Sequence, residues 1–279
     1  MSTSAHPQTV RNLANLMRTR RTVVLSGAGV STESGIPDYR GPDSPRRERA
    51  PISYQEFVGD AEARRRYWAR SSVGWPQFTA ARPNAGHRAL AQLEAAGYVS
   101  GVITQNVDGL HQAAGSNAVV ELHGALADVR CLRCGRRTNR TAYQRRLMQR
   151  NPGWPPEAAT LAPDGDAVLP DEVTQSFRVP GCQRCGGLLK PDVVFFGESV
   201  PRRWVDAAWG RFDEAEMLLV VGSSLTVYSG FRFVRRAAKE KRPVGIVNLG
   251  PTRGDVHARL RLEGRTGALL PALAQMLKA

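Results

Sequence analysis

The sequence TVVLSGAGVSTESGIPDYRG, residues 22–41, carries the clearest indication of fold class in this 279-residue chain. A β-branched, apolar run ends abruptly at Gly27-Ala28-Gly29, as the first strand of a dinucleotide-binding sheet ends at its phosphate loop. The GxGxxG pattern is incomplete, because Thr32 stands where the third glycine belongs, so the loop alone leaves NAD binding open. An acid, an aromatic ring and a guanidinium follow the loop and favour a ligand site; they are Asp38, Tyr39 and Arg40.

Length and composition limit the class of protein. A chain of 279 residues suits one large domain or two small ones, and no apolar run approaches the roughly 18 residues of a membrane span. The formal net charge of +14 could serve a nucleic acid or an acidic protein partner. The arginines are scattered, however, and their densest cluster, Arg130 to Arg150, is interleaved with cysteines and helix-like sequence rather than with stacking aromatic side chains. We therefore interpret the charge as solvated surface and expect neither a membrane nor a nucleic acid as partner.

The N-terminal segment allows two interpretations. It is rich in arginine and has no acidic residue before Glu33, as in a mitochondrial transit peptide, and it lacks the apolar core of a secretory signal. Against a transit peptide, Val10, Leu13, Leu16 and Met17 have helical spacing and predict a packed helix of the fold. We therefore expect a cytoplasmic protein.

The four cysteines form two CxxC pairs separated by an insertion that contains a basic helical stretch and a loop rich in Pro, Gly and Asp. Each pair can direct two thiolates to one point, and two pairs complete a tetrahedral zinc shell. The alternatives are disulfides, which need an oxidising compartment, and a redox CxxC, which does not need a second copy. We predict one structural Zn²⁺, because four thiolates leave no open position for catalysis. The ligands would be Cys131, Cys134, Cys182 and Cys185.

A short apolar strand predicted at 102–103 is followed by a segment with three polar residues out of four: Gln105, Asn106, Val107 and Asp108. Open α/β sheets bind ligands in the crevice outside the carboxyl ends of such strands. This position therefore predicts that the amide and carboxylate side chains contact a ligand.

His123 ends another apolar run, 119–122, and stands immediately before Gly124. A lone histidine is more often structural than catalytic, and four other histidines compete with this one. Its closeness in sequence to the predicted ligand-binding residues favours a general base, a role that suits a pKa near the working pH. The pattern alone leaves both roles open.

Two later apolar runs, 218–221 and 244–247, end in turns rich in glycine and polar residues. Hydroxyl and N–H groups at such turns could hold phosphate or ribose, and the alternative is an ordinary turn at a strand end. The residues in question are Gly222, Ser223, Ser224, Asn248, Leu249 and Gly250.

Together these motifs resemble those of the sirtuins, the NAD-dependent protein deacylases. Residues 22–41 are similar to the sirtuin cofactor signature, and residues 104–111 and 121–124 resemble the second and third signatures. The resemblance extends from Val23 to about Leu270. It is closest to class II sirtuins, through the segments 66–70, 74–78, 161–166 and 190–197.

The resemblance implies an α/β fold with two lobes. A doubly wound, Rossmann-like parallel sheet would hold residues 1–43, 81–124 and 188–279. A smaller lobe would comprise a helical insertion at 44–80 and a zinc-binding module at 125–187. NAD and substrate would meet in the cleft between the lobes.

The resemblance also implies a reaction. The carbonyl oxygen of an acyl-lysine protein would attack the nicotinamide-ribose carbon as nicotinamide leaves, and the acyl group would end on ADP-ribose. Asn106 and Asp108 would orient NAD, and His123 would accept a proton from a ribose hydroxyl. Thr266 stands where many sirtuins have a cysteine near the adenine. The implied cofactor contacts are Gly27, Ala28, Gly29, Asp38, Tyr39, Arg40, Gln105, Asn106, Val107, Asp108, Gly222, Ser223, Ser224, Asn248, Leu249, Gly250 and Thr266.

By the same resemblance, the substrate peptide would add as a β-strand between two segments, so that main-chain hydrogen bonds supply affinity with little demand on sequence. These segments are Phe196, Gly197 and Glu198, and Val227, Tyr228 and Ser229. Two other functions remain open: a protein mono-ADP-ribosyltransferase that uses the same NAD site, and a non-catalytic module that senses NAD or binds nucleic acid. His123 argues against the non-catalytic module.

Tyr67 and Arg70 lie one helical turn apart and can face the same side of a helix. In sirtuins that prefer acidic acyl groups, a Tyr-x-x-Arg pair at this place binds the acyl carboxylate, a task that suits the planar guanidinium. The alternative is that Tyr67 packs in the core and Arg70 is a solvated charge. By the same resemblance, Tyr39, which is a phenylalanine in many sirtuins that prefer acetyl groups, would add a hydroxyl near the reacting ribose and favour a substrate other than acetyl-lysine.

Overall fold

A computed structural model describes residues 7–42, 51–154, 162 and 164–278. Residues 44–50 of the predicted helical insertion and residues 161 and 163 of the predicted 161–166 segment lie outside the described residues. The strands are β1 Thr22–Ser26, β2 Val99–Thr104, β3 Val119–Glu121, β4 Gly124–Cys131, β5 Arg137–Asn139, β6 Leu189–Val193, β7 Met217–Val221, β8 Val244–Asn248 and β9 Leu260–Glu263. The α-helices are α1 Pro7–Arg18, α2 Tyr54–Gly59, α3 Ala61–Ala80, α4 Ala85–Ala95, α5 Leu110–Ala113, α6 Arg140–Arg150, α7 Arg202–Asp213, α8 Tyr228–Lys239 and α9 Thr266–Lys278.

The chain divides into two compact units. The first comprises Met1–Ser44, Arg82–His123 and Val200–Ala279, and the second comprises Pro45–Ala81 and Gly124–Ser199. The sequence-based boundaries placed residues 188–199 with the nucleotide-binding sheet, whereas here they belong to the second unit. The reason is that β6 pairs with β4, another strand of the second unit.

The first unit contains a six-stranded parallel sheet in the order β3-β2-β1-β7-β8-β9. The strand order reverses at β1, which pairs with β2 on one side and β7 on the other. Ligands bind at such switch points in doubly wound folds. The predicted Rossmann-like, doubly wound α/β fold is thereby confirmed.

Every residue of β1, β7 and β8 is buried, because helices cover both faces of the sheet. One face packs against α1, α4 and α9, and the other against α7 and α8. The predicted helix near the N-terminus is confirmed as α1, which buries Val10, Leu13 and Met17 in the core beneath the sheet.

The second unit is built around a three-stranded antiparallel sheet in the order β5-β4-β6. Helix α2 begins at a capping box in which Ser53 and Glu56 satisfy each other's backbone N–H groups. The core is aromatic, and Trp68 of α3, Phe57 and Tyr143 are completely or almost completely buried in it. In the part of the chain that the structure describes, no helix has the length and apolar character needed to cross a membrane.

Candidate active site

The glycine loop after β1 packs directly against the loop after β7. The backbone N–H of Gly29 donates to the carbonyl oxygen of Gly222 at 2.8 Å. A Cβ added at Gly27 would lie 2.7 Å from the Cβ of Ser223, and one added at Gly222, where φ is +58°, would lie 2.5 Å from the nitrogen of Val30. Glycine is therefore needed for the two loops to pack against each other. This role is additional to the one the sequence indicated, which is to let a ligand approach the backbone.

A cavity of about 420 Å³ opens beside these loops in the first unit. Its size falls within the range of small-molecule sites, about 300–1,000 Å³. The hydroxyl of Thr266 is buried there without a hydrogen-bond partner, so a polar ligand atom would satisfy it. The lining residues are Gly29, Thr32, Gly35, Pro37, Asp38, Pro42, Gly222, Asn248, Leu249, Gly264, Arg265 and Thr266.

Six of the predicted cofactor contacts line this cavity: Gly29, Asp38, Gly222, Asn248, Leu249 and Thr266. Tyr39 and Arg40 follow Asp38 on the same loop but are not among the lining residues. The prediction did not include Gly264 and Arg265, although they follow β9 in the same way that the predicted turns follow β7 and β8. The orphaned hydroxyl and the glycine-lined wall fit the adenosine and phosphate parts of NAD.

The polar residues after β2 are tied to the glycine loop. The Asn106 side-chain amide donates to the carbonyl of Gly27 and to the hydroxyl of Ser31, both at 3.1 Å. Ser31 in turn donates to the Asp108 carboxylate at 2.7 Å. Burial raises the pKa of Asp108, while the hydrogen bonds from the Leu110 N–H and from Ser31 oppose that change. Ser31 was not predicted, because its partners lie far away in sequence.

His123 is oriented by hydrogen bonds at both ring nitrogens. Its Nδ1 lies 3.0 Å from the carbonyl oxygen of Gln105, and its Nε2 lies 2.8 Å from the Ser229 hydroxyl. Burial lowers the pKa of His123 to about 4, while the hydrogen bond to the Gln105 carbonyl opposes that change and Arg232 adds a smaller lowering effect. The pKa is thus further from neutrality than the sequence suggested, and the neutral ring can accept a proton at neutral pH.

Two competing histidines have structural positions. His87 and His111 are completely buried and contact each other edge to face, with ring centroids 4.9 Å apart. Burial lowers the pKa of His111 to about 3 and that of His87 to about 4. Nε2 of His111 is 2.8 Å from the Ser26 hydroxyl, so this pair supports the end of β1.

In the second unit, the four cysteines converge as the spacing predicts. Their Sγ atoms all lie within 4.8 Å of one another, with Cys131–Cys185 at 3.5 Å and Cys134–Cys182 at 3.8 Å. Zinc–sulfur bonds of about 2.3 Å in tetrahedral geometry place sulfurs about 3.8 Å apart. A Cβ at Gly187 would come within 3.1 Å of the Cys131 sulfur, so glycine keeps space for the cluster. The four thiols therefore fit a closed, structural zinc site.

Comparison with known proteins agrees with these features. Residues 27–229 match the Sir2 family. This chain belongs to the Sir2 family. It is 55% identical to "NAD-dependent protein deacetylase 1" of Streptomyces coelicolor, over 95% of this chain and 89% of that protein. It is 51% identical to "NAD-dependent protein lipoamidase sirtuin-4, mitochondrial" of Bos taurus, over 96% of this chain and 86% of that protein.

A solved structure described as "Sir2-p53 peptide-NAD+" superposes with a TM-score of 0.77 at 31% identity. The match covers 95% of this chain and 96% of that one. The predicted resemblance to sirtuins is confirmed.

Two segments of this sirtuin were predicted to flank the substrate peptide, and they belong to different units. In the second unit, the carbonyl of Phe196 accepts from the N–H of Tyr54 at 2.9 Å, and the Glu198 carboxylate accepts from Lys190 at 2.9 Å. In the first unit, Val227 caps α8, and Tyr228 and Ser229 form its first turn. The peptide-binding role of these six residues stays a prediction.

The predicted acyl-carboxylate pair lies on α3 of the sirtuin. Tyr67 is buried, and its ring packs edge-on against Phe57 and Phe195, with centroids 5.4 and 5.3 Å apart. The Arg70 guanidinium donates to the Asp171 carboxylate at 2.6 Å and to the Leu169 carbonyl at 3.2 Å. An acyl carboxylate would therefore compete with Asp171 for Arg70, and its binding stays a prediction.

Proposed function

We propose that this protein is an NAD-dependent protein-lysine deacylase that transfers the acyl group to ADP-ribose and releases nicotinamide. The observation that carries the proposal is the neutral, doubly hydrogen-bonded His123 after β3, beside the neighbouring parallel strand β2, whose end presents Asn106 and Asp108. Membership of the Sir2 family, whose relatives include proteins named NAD-dependent deacetylases, supports it. The protein substrates are those that carry acylated lysines.

Each residue group has one task in this reaction. NAD, when bound, supplies the ribose carbon that the acyl oxygen attacks and the ADP-ribose that carries the acyl group away. The backbone of Gly27 and Gly29 admits the pyrophosphate, and Asn106 and Asp108 present an amide and a carboxylate that orient the nicotinamide half. His123 accepts the proton of a ribose hydroxyl at Nε2, and the hydroxyl oxygen becomes nucleophilic.

The alternative mono-ADP-ribosyltransferase would use the same residues, and no observation favours it over deacylation. The products separate the two reactions. Incubating the protein with NAD and an acyl-lysine peptide should give free lysine peptide, nicotinamide and O-acyl-ADP-ribose by mass spectrometry. ADP-ribosylated protein with intact acyl-peptide would overturn the proposal.

A matched pair of variants assigns the activity to this site. His123→Ala should abolish the acyl product, and His257→Ala, which removes an exposed histidine of the same unit, should leave it unchanged. Equal turnover by the wild type and His123→Ala would exclude the assigned base.

We also propose a cytoplasmic location. Its support is helix α1, because removal of residues 7–18 as a leader would take Val10, Leu13 and Met17 out of the core. The bovine relative is named as mitochondrial. Fractionation of cells that express the full chain decides between these locations, and recovery in a membrane-bounded organelle would contradict the proposal.

A further inference from the structure

The hydrogen bonds of His123 define its tautomer. The carbonyl oxygen of Gln105, 3.0 Å from Nδ1, can only accept, so Nδ1 carries the ring hydrogen of the neutral imidazole. Nε2 then has a lone pair, and the Ser229 hydroxyl at 2.8 Å donates to it. The nitrogen that serves as the base in the proposed reaction is therefore already occupied by a serine.

The first turn of α8 is built to hold this serine in place. Nε of Arg232 donates to the Ser229 carbonyl at 3.1 Å. A Cβ at Gly230 would lie 2.5 Å from Oε1 of Gln105, so a larger residue in this turn would displace the Gln105 amide. The Gln105 amide is fixed from the other side by a 2.8 Å hydrogen bond to Ser223. Ser229 and the Gln105 carbonyl thus hold the imidazole from opposite edges.

A donor at Nε2 affects the charge of the ring as well as its orientation. The imidazolium form has no lone pair at Nε2, so a hydroxyl that donates there stabilises the neutral form, and the hydroxyl must rotate to accept from Nε2 when the ring is protonated. The charged group that acts on His123 is Arg232 of α8, which also disfavours the cation, whereas the Gln105 carbonyl at the end of β2 accepts from Nδ1 and favours it. Ser229 and Arg232 therefore act in the same direction.

We propose that Ser229 is a positioning residue for the general base: in the ligand-free protein its hydroxyl occupies Nε2 of His123, fixes the tautomer with hydrogen on Nδ1, and gives way to the ribose hydroxyl when NAD binds. The proposal rests on the proposed function for the role of His123. No residue role predicted from the sequence includes this contact, since Ser229 was expected to contribute only backbone to peptide binding.

The direct test is ¹⁵N NMR of the histidine ring nitrogens in the ligand-free full chain. In the wild type, the Nδ1 shift of His123 should be that of a protonated nitrogen and the Nε2 shift that of an acceptor. Ser229→Ala should raise the His123 pKa by about half to one unit, because one hydrogen bond to the neutral form is lost. Ser229→Thr, which keeps the hydroxyl, should restore the wild-type pKa and tautomer.

Kinetics separate this role from a merely structural one. The pH profile of kcat/KM for NAD reports the free enzyme, so its acid limb should move to higher pH in Ser229→Ala. The profile of kcat reports the enzyme with NAD bound, where the serine has left Nε2, and should stay in place. Thr226→Ala, which removes an exposed hydroxyl from the same loop, should change neither profile.

Unchanged shifts and an unchanged His123 pKa in a folded Ser229→Ala variant would overturn the inference, even if the wild type deacylates. Conversely, wild-type protein that gives no O-acyl-ADP-ribose would refute the proposed function. The NMR result would still decide whether Ser229 donates to Nε2 of His123. If Ser229→Ala does not fold, Ser229→Cys replaces the hydroxyl by a weak donor at similar volume and should give an intermediate pKa.

Discussion

The two units of this sirtuin organise their polar groups in different ways. In the first, Asn106, Asp108 and His123 stand at or close to the ends of strands, and the buried residues of the parallel sheet hold them in place. In the second, the cysteines lie at or close to one end of β4 and β6, and two of them, Cys131 and Cys182, are part of the core itself. The first unit has a hydrophobic core that is complete without its site residues, whereas the second unit includes two of its site residues in the core.

This difference predicts a different dependence on ligand. Four sulfurs within 4.8 Å of one another cannot all be ionised without a cation, and the bound metal that allows it also joins the two CxxC turns, so its binding contributes to folding. The strands of the first unit bury only apolar and hydrogen-bonded groups and need no ion. Metal loss should therefore unfold the second unit, while the loss of site residues in the first should reduce binding or turnover of a folded protein.

The largest effect is expected from breaking the zinc shell. Cys131→Ser or Cys185→Ser should remove much of the roughly 10 kcal/mol or more that such a site contributes to folding. Hydrogen exchange should show β4 and β6 losing protection, while β1 and β7 keep theirs longer. Wild-type protein treated with a chelator is the control and should show the same pattern. Full activity in protein that atomic absorption shows to be free of zinc would contradict a structural metal.

The second-largest effect is expected from removing the general base, which should change turnover but not NAD binding. His123→Ala should reduce deacylation about 10²–10⁴-fold, the contribution of a positioned base. NAD should still raise the thermal unfolding temperature, because the glycine loop and cavity remain. Since burial lowers the pKa of His123 to about 4 in the ligand-free protein, kcat/KM for NAD should decrease through this group only as the pH falls towards 4, where the ring becomes protonated. Near wild-type turnover by His123→Ala would exclude the role.

A third prediction concerns the meeting of the two loops in the first unit. Gly222→Ala places a Cβ 2.5 Å from the nitrogen of Val30 at φ +58°, so it should destabilise the fold by about 1–3 kcal/mol and weaken NAD binding. Gly97→Ala is the control, since its φ of +81° carries the same left-handed strain in open space. It should cost less stability and leave the dissociation constant for NAD unchanged. Equal effects of both variants would show that the loop contact does not matter.

Local sequence signals predicted most of the first unit and the metal ligands of the second. The strand β7, the glycine loop and the CxxC pairs are encoded by neighbouring residues, so periodicity and spacing find them. The contacts that were missed join distant positions. Ser31 bonds to Asp108, 77 residues away, and Ser229 to His123, 106 residues away, and nothing in the local pattern of either serine indicates its partner.

Pairing between distant residues also explains why the predicted domain boundary assigned residues 188–199 to the first unit. The strand β6 follows the second CxxC pair directly, and its sequence does not reveal whether it joins the parallel sheet or pairs with β4. Arg70 is a similar case, because its partner Asp171 is 101 residues away. The helical spacing of Tyr67 and Arg70 predicted one shared face, but not that Tyr67 is buried among aromatic rings while Arg70 has an acidic partner.

The smallest effect concerns the acyl group and tests whether the second unit contributes to specificity as well as to folding. If Arg70 binds an acyl carboxylate, glutaryl- or succinyl-lysine peptides should have a higher kcat/KM than the acetyl peptide. Arg70→Met should then lower the ratio of acidic to acetyl kcat/KM by about tenfold. This is the value of one charge-assisted hydrogen bond after competition with Asp171. Arg66→Met is the control. Arg66 lies on α3 like Arg70, but it pairs with Asp60, the residue that caps this helix, at 3.8 Å.

The salt bridge with Asp171 sharpens this test. Asp171→Asn keeps the shape of the partner but removes its charge, so Arg70 should bind an incoming carboxylate more strongly and the preference for acidic acyl groups should increase. If Arg70 instead only ties α3 to Asp171, both Arg70→Met and Asp171→Asn should lower thermal stability and leave the ratio of acidic to acetyl turnover unchanged. A wild type that prefers the acetyl peptide would likewise exclude the carboxylate role, because the arginine is already neutralised by its own chain.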